Sequence, residues 1–131
     1  MSRPRVLVAD DYPAVLEATT ALLKPEFDVV GTATDGASLV SEALRLRPDV
    51  IVTDITMPVM SGIEAAHRLR ESALSAKIVF LTIHSEAEFV NACLDVSALG
   101  YVIKSQMKAH LIPAIRAAVV GQTYIYPSVS R

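Results

Sequence analysis

The sequence lacks the features that mark secreted and membrane-bound chains. Its single cysteine, Cys93, leaves no partner for an internal disulfide. The amino-terminal MSRPRVLVAD contains an apolar run of four residues, which is too short for a signal peptide. No stretch approaches the roughly 18 uninterrupted apolar residues of a membrane helix. We therefore expect a cytoplasmic protein with no membrane partner.

Clusters of basic residues are also missing. The chain has 12 Lys and Arg residues against 14 Asp and Glu residues, which gives a net charge of -2. Binding to a phosphate backbone requires several cations on one face. DNA is therefore not expected to be a direct partner of this chain.

The composition that remains is that of an ordinary globular domain. The 131 residues are 52% hydrophobic and 20% charged, and a chain of this length buries roughly two-thirds of its unfolded surface. Cys93 recurs at helical spacing with Phe89, Ala92 and Val96. This spacing predicts that Cys93 is a small core hydrophobe and not a reactive thiol.

Five apolar, β-rich runs alternate with five helical patterns, which is typical of repeated βα units around a parallel sheet. Strands are predicted at residues 5–9, 28–31, 50–52, 77–81 and 100–103. Right-handed crossovers favour the doubly wound strand order 2-1-3-4-5 for such a sheet. The predicted fold is therefore a (βα)5 α/β domain in which strands 1 and 3 are neighbours.

The helices are predicted from apolar periodicity and from their start and stop signals. Helix 1 opens through Pro13 and stops at Lys24-Pro25, with Val15, Ala18 and Leu22 facing inward. Helices 2 to 5 are predicted at 36–47, 62–71, 86–95 and 108–120, with Asp35 capping helix 2. The inward residues of helix 5 are predicted to be Leu111, Ile115, Ala118 and Val119. Pro113 is placed near its first turn, and Gly121 ends it.

Strand 3 is the predicted centre of the sheet, because Val50, Ile51 and Val52 form a β-branched run with no polar alternation. Asp54 follows at its carboxyl end, where open α/β sheets bind their ligands. Met57-Pro58 then keeps the backbone extended or turned. On this stretch alone, Asp54 could equally be the cap of a turn.

The carboxyl ends of the other strands supply a chemically coherent set of residues: Asp10 and Asp11 after strand 1, Thr82 after strand 4 and Lys104 after strand 5. Together with Asp54 the acids would repel one another, so the arrangement requires a cation. The donors are all oxygens, which favours Mg2+, with the Thr56 carbonyl as a further ligand. A hydroxyl and an ammonium suit the remaining oxygens of a phosphoryl group. The set therefore predicts phosphoryl transfer.

Over its whole length the chain resembles the receiver domain of two-component response regulators. The matching motifs are VADD (8–11), DITMP with a later glycine (54–62), FLT (80–82) and GYVIK (100–104). The resemblance implies a flavodoxin-like receiver fold. The segment GQTYIYPSVS (121–130) further resembles the end of a receiver of the NarL/FixJ (LuxR-type) group, whose members continue into a helix-turn-helix domain. We expect a receiver over 1–121 and the start of a linker over 122–131.

The resemblance also implies the role of each site residue. Asp54 would accept the phosphoryl group from a sensor histidine kinase, in a reaction that depends on Mg2+. The ion would be held by Asp10, Asp11, Asp54 and the Thr56 carbonyl. Thr82 and Lys104 would bind the phosphoryl oxygens.

Thr82 and Tyr101 would form the switch that changes the face made by helix 4, strand 5 and helix 5. Tyr101 is expected to rotate from solvent into space vacated by the Thr82 hydroxyl. Such a domain is a phosphoacceptor switch and not an enzyme, although it assists its own phosphorylation and dephosphorylation. It would control transcription through an output domain, and it could form a homodimer on phosphorylation.

Three positions depart from the family pattern. Ser105 stands where a proline is frequent after Lys104, Ile83 is bulkier than the usual residue after Thr82, and residues 96–100 lack the usual Gly-Ala. The change at Ser105 leaves the isomer of the Lys104-Ser105 bond open. The other two departures remove no functional atom but touch the switching surface.

Other readings of the acid set remain open. A phosphatase with an aspartyl-phosphate intermediate would have an Asp-x-Asp pair after strand 1, whereas Asp10 and Asp11 are adjacent. A flavodoxin-like cofactor binder would need a neutral, glycine-rich loop there. The remaining alternative is a receiver that is never phosphorylated and acts as a protein-interaction module.

Overall fold

A parallel sheet with helices on both faces forms the fold, which the computed structural model describes for residues 3–128. The strands are β1 (Arg5–Ala9), β2 (Asp28–Ala33), β3 (Val50–Thr53), β4 (Lys77–Thr82), β5 (Gly100–Ile103) and β6 (Tyr124–Tyr126). The helices are α1 (Pro13–Leu23), α2 (Gly36–Leu46), α3 (Gly62–Glu71), α4 (Ala87–Asp95) and α5 (Met107–Val119). A 3-10 turn, Lys104–Gln106, joins β5 to α5.

The strand order is β2-β1-β3-β4-β5-β6, and every neighbouring pair is parallel. The predicted order 2-1-3-4-5 is confirmed, and β6 is an additional strand on the β5 edge. In the register of β1 and β3, Ala9 lies opposite Thr53. Asp10 and Asp54, which follow these two residues, therefore leave the sheet side by side.

Strand β3 is buried on both faces, as its apolar run predicts. Ile51 packs into a core beneath α2, α3 and α4. Val50 and Val52 point to the opposite side and pack into a second core beneath α1 and α5. Cys93 lies in the first core with no exposed surface, so its prediction as a core hydrophobe is confirmed. Burial raises the pKa of its thiol to about 12.

The predicted inward face of α1 is confirmed at Leu22, which is partly buried against the second core, and is wrong at Ala18. Ala18 is exposed, and the fully buried positions are Thr19 and Leu23. Thr19 can be buried because its hydroxyl donates to the Val15 carbonyl at 2.7 Å, which satisfies its polar atom. Asp35, by contrast, caps α2 as predicted, since its carboxylate accepts from the Ser38 N–H at 2.7 Å.

Helix α5 buries Leu111, Ile115 and Ala118 as predicted, but Val119 is 41% exposed. Adjacent helical residues point about 100° apart, so Val119 lies outside the stripe of buried residues that ends at Ala118. Pro113 lies in the second turn and not near the first. Its position is exposed, which leaves the unpaired carbonyl one turn earlier open to water. Gly121 follows the helix with φ of 79°, in agreement with its predicted role as a stop.

The predicted linker, residues 122–131, falls partly on β6 and partly on residues 129–131, which lie outside the described residues. The domain boundary after Gly121 therefore stays a prediction. Within residues 3–128, the structure contains no helix that could span a bilayer.

Candidate functional site

Asp54 leaves the sheet directly after β3 and is 5% exposed. Its backbone N–H donates to the Ala9 carbonyl at 3.1 Å, which ties it to the end of β1. Its Oδ1 accepts from the Ile55 N–H at 2.7 Å. One carboxylate oxygen is thus fixed by the backbone, and Oδ2 is left for other partners.

The loop after Asp54 turns back on itself so that α3 begins against the Asp54 backbone. The Gly62 N–H donates to the Ile55 carbonyl at 2.7 Å. A Cβ atom at Gly62 would lie 1.9 Å from the Asp54 carbonyl oxygen, a distance that no side chain can occupy. Glycine at this position is therefore required by the close approach of two backbones.

Three carboxylates meet at this edge of the sheet. Asp10, Asp11 and Asp54 each contribute one oxygen to a group in which all the oxygens lie within 4.8 Å of one another. Asp10 is buried, and its Oδ1 accepts from the Tyr12 N–H at 2.9 Å. The Oδ1 of Asp11 is buried and has no hydrogen-bond partner. A cluster of oxygens with one unpartnered member fits a hard divalent cation such as Mg2+.

Lys104 is the cationic side chain that contacts this carboxylate cluster. Its Nζ lies 2.8 Å from Asp10 Oδ2 and 2.8 Å from Asp54 Oδ2, and its side chain is 12% exposed. Burial lowers the pKa of Lys104, but the hydrogen bonds and negative charges of Asp10 and Asp54 outweigh this effect. The pKa therefore lies above its ordinary value. The bond from Lys104 to Ser105 is trans, since the one cis bond in residues 3–128 precedes Pro127.

A cavity of about 230 Å³ opens above the carboxylates and is lined by Asp11, Tyr12, Asp54, Thr56, Ile83, His84 and Lys104. Across it, Thr56 Oγ1 lies 3.3 Å from His84 Nε2. The His84 ring is stacked on Phe89 with a centroid separation of 4.0 Å. A larger cavity of about 540 Å³ lies at the opposite edge of the sheet, near Pro48 and Lys77, far from this chemistry.

Thr82 does not line the cavity, although it lies at the end of β4 as predicted. It is fully buried, and its hydroxyl accepts from the His84 N–H at 3.3 Å. The Tyr101 hydroxyl donates to the carbonyl of the same residue, His84. The His84 backbone therefore connects the two predicted switch residues, a link that no local sequence pattern indicates.

Tyr101 is 1% exposed, so in this structure its ring points inward and not into solvent. Burial, followed by the nearby charges of Cys93, Glu86 and Asp54, raises the pKa of its phenol well above the ordinary value. The inward position of Tyr101 is the one expected from the sequence after switching. The structure therefore corresponds to the end state of the predicted rotation of Tyr101.

The structure brings Asp10, Asp11, Asp54 and Lys104 together as predicted, with Thr56 at the rim. Tyr12 was not predicted; its exposed ring lies 5.8 Å from Lys104 Nζ. Its only signal in the sequence is its place directly after the two acids. The direction of the Thr56 carbonyl toward an ion stays a prediction.

Comparison with known families identifies the fold. The model of the response regulator receiver domain matches residues 6–116, which span β1 to most of α5. The chain belongs to the response regulator receiver family. The receiver fold predicted from the sequence is confirmed.

Individual receivers and their parent proteins agree with this assignment. The chain is 36% identical to the response regulator GacA of Pseudomonas viridiflava over 97% of its own length and 60% of that protein. It superposes with a TM-score of 0.90 on a two-component response regulator of the LuxR family from Aurantimonas sp. SI85-9A1, at 33% identity, covering 96% of this chain and 91% of that one. It also superposes on the RcsB receiver of Salmonella enterica serovar Typhimurium, solved with the phosphomimetic BeF3-, with a TM-score of 0.87, 29% identity and coverage of 99% and 98%.

The curated relatives are longer than this receiver chain. The chain spans 54–61% of the length of eight of them, of which seven are named as response regulators or transcriptional regulators and one as an oxygen regulatory protein. Activities of those proteins that lie outside their receiver domains are therefore not shown for this chain.

Proposed function

We propose that this receiver accepts a phosphoryl group on Asp54 from a sensor histidine kinase. The observation that carries the proposal is the buried Asp54 carboxylate, held by Lys104 beside Asp10 and Asp11 at the floor of an open cavity. In the transfer, an Asp54 oxygen bonds to phosphorus while the bond between phosphorus and the donor nitrogen breaks. The reaction makes an acyl phosphate and needs no cofactor beyond a cation.

The residues that would hold Mg2+ are Asp10, Asp11, Asp54 and the Thr56 carbonyl. The fit rests on an all-oxygen donor set and on the buried, unpartnered Oδ1 of Asp11. When bound, Mg2+ supplies positive charge that offsets the repulsion between the phosphoryl oxygens and the carboxylates. Lys104, which already contacts Asp54, would bind a phosphoryl oxygen with its ammonium.

Thr82 would carry the signal away from the site. Its hydroxyl accepts from the His84 N–H, so its own proton is free to be donated to a phosphoryl oxygen. Because the His84 carbonyl accepts from Tyr101, a movement at Thr82 changes the position of Tyr101. The face built by α4, β5 and α5 would change with it, and a homodimer on phosphorylation is one outcome.

In the whole protein this switch would control a helix-turn-helix output domain, which alone would contact DNA. The greater length of the curated relatives supports a further domain, with the receiver over 1–121 and the linker beginning in 122–131. The switch is a phosphoacceptor and not an enzyme with substrates of its own. The acid set is complete, so nothing favours a receiver that is never phosphorylated.

Phosphorylation by acetyl phosphate with Mg2+ tests the proposal. Intact-mass spectrometry should detect one phosphoryl adduct on the wild type and none on Asp54→Asn. Asp28→Asn, at an exposed acid on β2, is the matched control and should behave as the wild type. An acid-labile adduct on Asp54→Asn at the wild-type rate would show that Asp54 is not the acceptor.

A further inference from the structure

Strand β6 lies along the outer edge of β5, the strand predicted to belong to the switching face. Its residues pair in parallel register with β5, with Ile125 opposite Tyr101. The Tyr124 N–H donates to the Leu99 carbonyl at 2.8 Å. Without β6, strand β5 would be the edge of the sheet, and Tyr101 would lie beside solvent.

The side chains of β6 alternate between the two faces of the sheet. Ile125 packs against the buried cluster that contains Tyr101, beneath α4. Tyr124 packs against the cluster on the other face, beneath α5. A strand of three residues is therefore anchored on both sides of the sheet.

His110 of α5 holds β6 from the second face. Its Nδ1 lies 2.7 Å from the Tyr124 hydroxyl, and its ring is stacked on Tyr126 with a centroid separation of 3.6 Å and an interplanar angle of 12°. Short edge strands open easily, because few contacts oppose their release. The ring stack and the hydrogen bond between His110 and the Tyr124 hydroxyl add side-chain contacts that restrain this one.

We infer that docking of β6 is coupled to the inward position of Tyr101, so that β6 passes the state of the phosphoacceptor site to the chain that follows it. His110 and Ile125 act as positioning residues: His110 holds the strand, and Ile125 covers Tyr101. The inference deepens the proposed function and rests on it. Coupling between two sites is reciprocal, so the inward Tyr101 stabilises docked β6 as much as docked β6 stabilises the inward Tyr101.

Hydrogen exchange measured by NMR tests both directions, with the Tyr124 amide as the reporter for β6. Adding Mg2+ and beryllofluoride, a phosphoryl mimic, should slow exchange of the Tyr124 amide by about fivefold, a modest coupling. His110→Ala should speed that exchange by about tenfold and should also reduce the beryllofluoride-induced shift of the Tyr101 amide. His67→Ala, at an exposed histidine on α3, is the matched control and should change neither.

Two further observations distinguish a failure of the coupling from a failure of the proposed function. If beryllofluoride shifts the Ile55 amide but leaves Tyr124 exchange unchanged, the coupling is wrong and the proposed function stands. If the Ile55 amide does not shift, the proposed function fails and the coupling fails with it. Tyr126→Ala removes the stack without altering α5 and should reproduce the effect of His110→Ala; a wild-type Tyr101 response in this variant, with β6 opened, overturns the inference.

Discussion

Removing the ammonium of Lys104 should make the stability of this receiver depend on Mg2+. In Lys104→Met the side chain keeps most of its length, but two carboxylates that each lie 2.8 Å from the ammonium lose it. The side chains of Asp10 and Asp54 are only 3% and 7% exposed. Breaking a buried ion pair by removing one partner costs about 3–5 kcal/mol, because the other charge is left uncompensated.

The expected size of the effect follows from these contacts. Two buried carboxylates lose their shared cation, so the cost should be at least the lower limit of this range, about 3 kcal/mol. In a domain of this size 1 kcal/mol shifts Tm by roughly 3–4 °C, so Tm without metal should fall by about 10 °C. Mg2+ at 100 times its Kd adds about 2.7 kcal/mol to the free energy of unfolding. Metal should therefore restore most of the loss.

Thermal unfolding followed by circular dichroism, with EDTA or with saturating Mg2+, measures the effect. The wild type should gain less from Mg2+ than Lys104→Met, because Lys104 already neutralises part of the cluster. Lys77→Met, at an exposed lysine on β4, is the matched control and should unfold like the wild type. If Lys104→Met without metal unfolds at the wild-type temperature, or if Mg2+ stabilises both proteins equally, the electrostatic account of the site is wrong.

Three further predictions concern the switch, the phosphoryl lifetime and the core. Thr82→Ala should still be phosphorylated but should show a smaller beryllofluoride-induced NMR shift at Tyr101, since one hydrogen bond to a charged group contributes about 1.5–3 kcal/mol; a shift of full size would exclude the coupling role. His84→Ala and Thr56→Ala should alter the decay rate of the aspartyl phosphate, because both side chains line the cavity. Unchanged decay rates, measured by mass spectrometry, would show that neither side chain controls the phosphoryl lifetime. The Cys93 thiol has its pKa raised from 9.0 to about 12 by burial, so its contribution to stability is complete below pH 9 and is lost as the pH rises toward 12. Urea unfolding of Cys93→Ala should therefore show a fall in stability above pH 9 that is shallower by about 1.4 kcal/mol per pH unit; equal slopes would contradict the burial of the thiol.

The sequence by itself determined the type and order of the elements and the residues at their ends. Apolar runs and helical periodicity record burial along one element, so the first five strands and the five helices could be predicted. The preference for right-handed crossovers then favoured the order 2-1-3-4-5. Because parallel strands end at one edge, the meeting of Asp10, Asp11, Asp54 and Lys104 followed from the order. The place of Thr19 on the inward face of α1 could not be predicted, since its burial depends on a hydrogen bond within the helix.

Only the tertiary structure decided which of these residues contact each other and through what. Strand β6 is three residues long, and its side chains alternate between the two cores, so nothing local distinguishes it from a linker. The His84 backbone joins Thr82 to Tyr101 because β4 and β5 are neighbours. Such contacts depend on which segments the fold brings together, and local sequence patterns do not encode the distances between those segments.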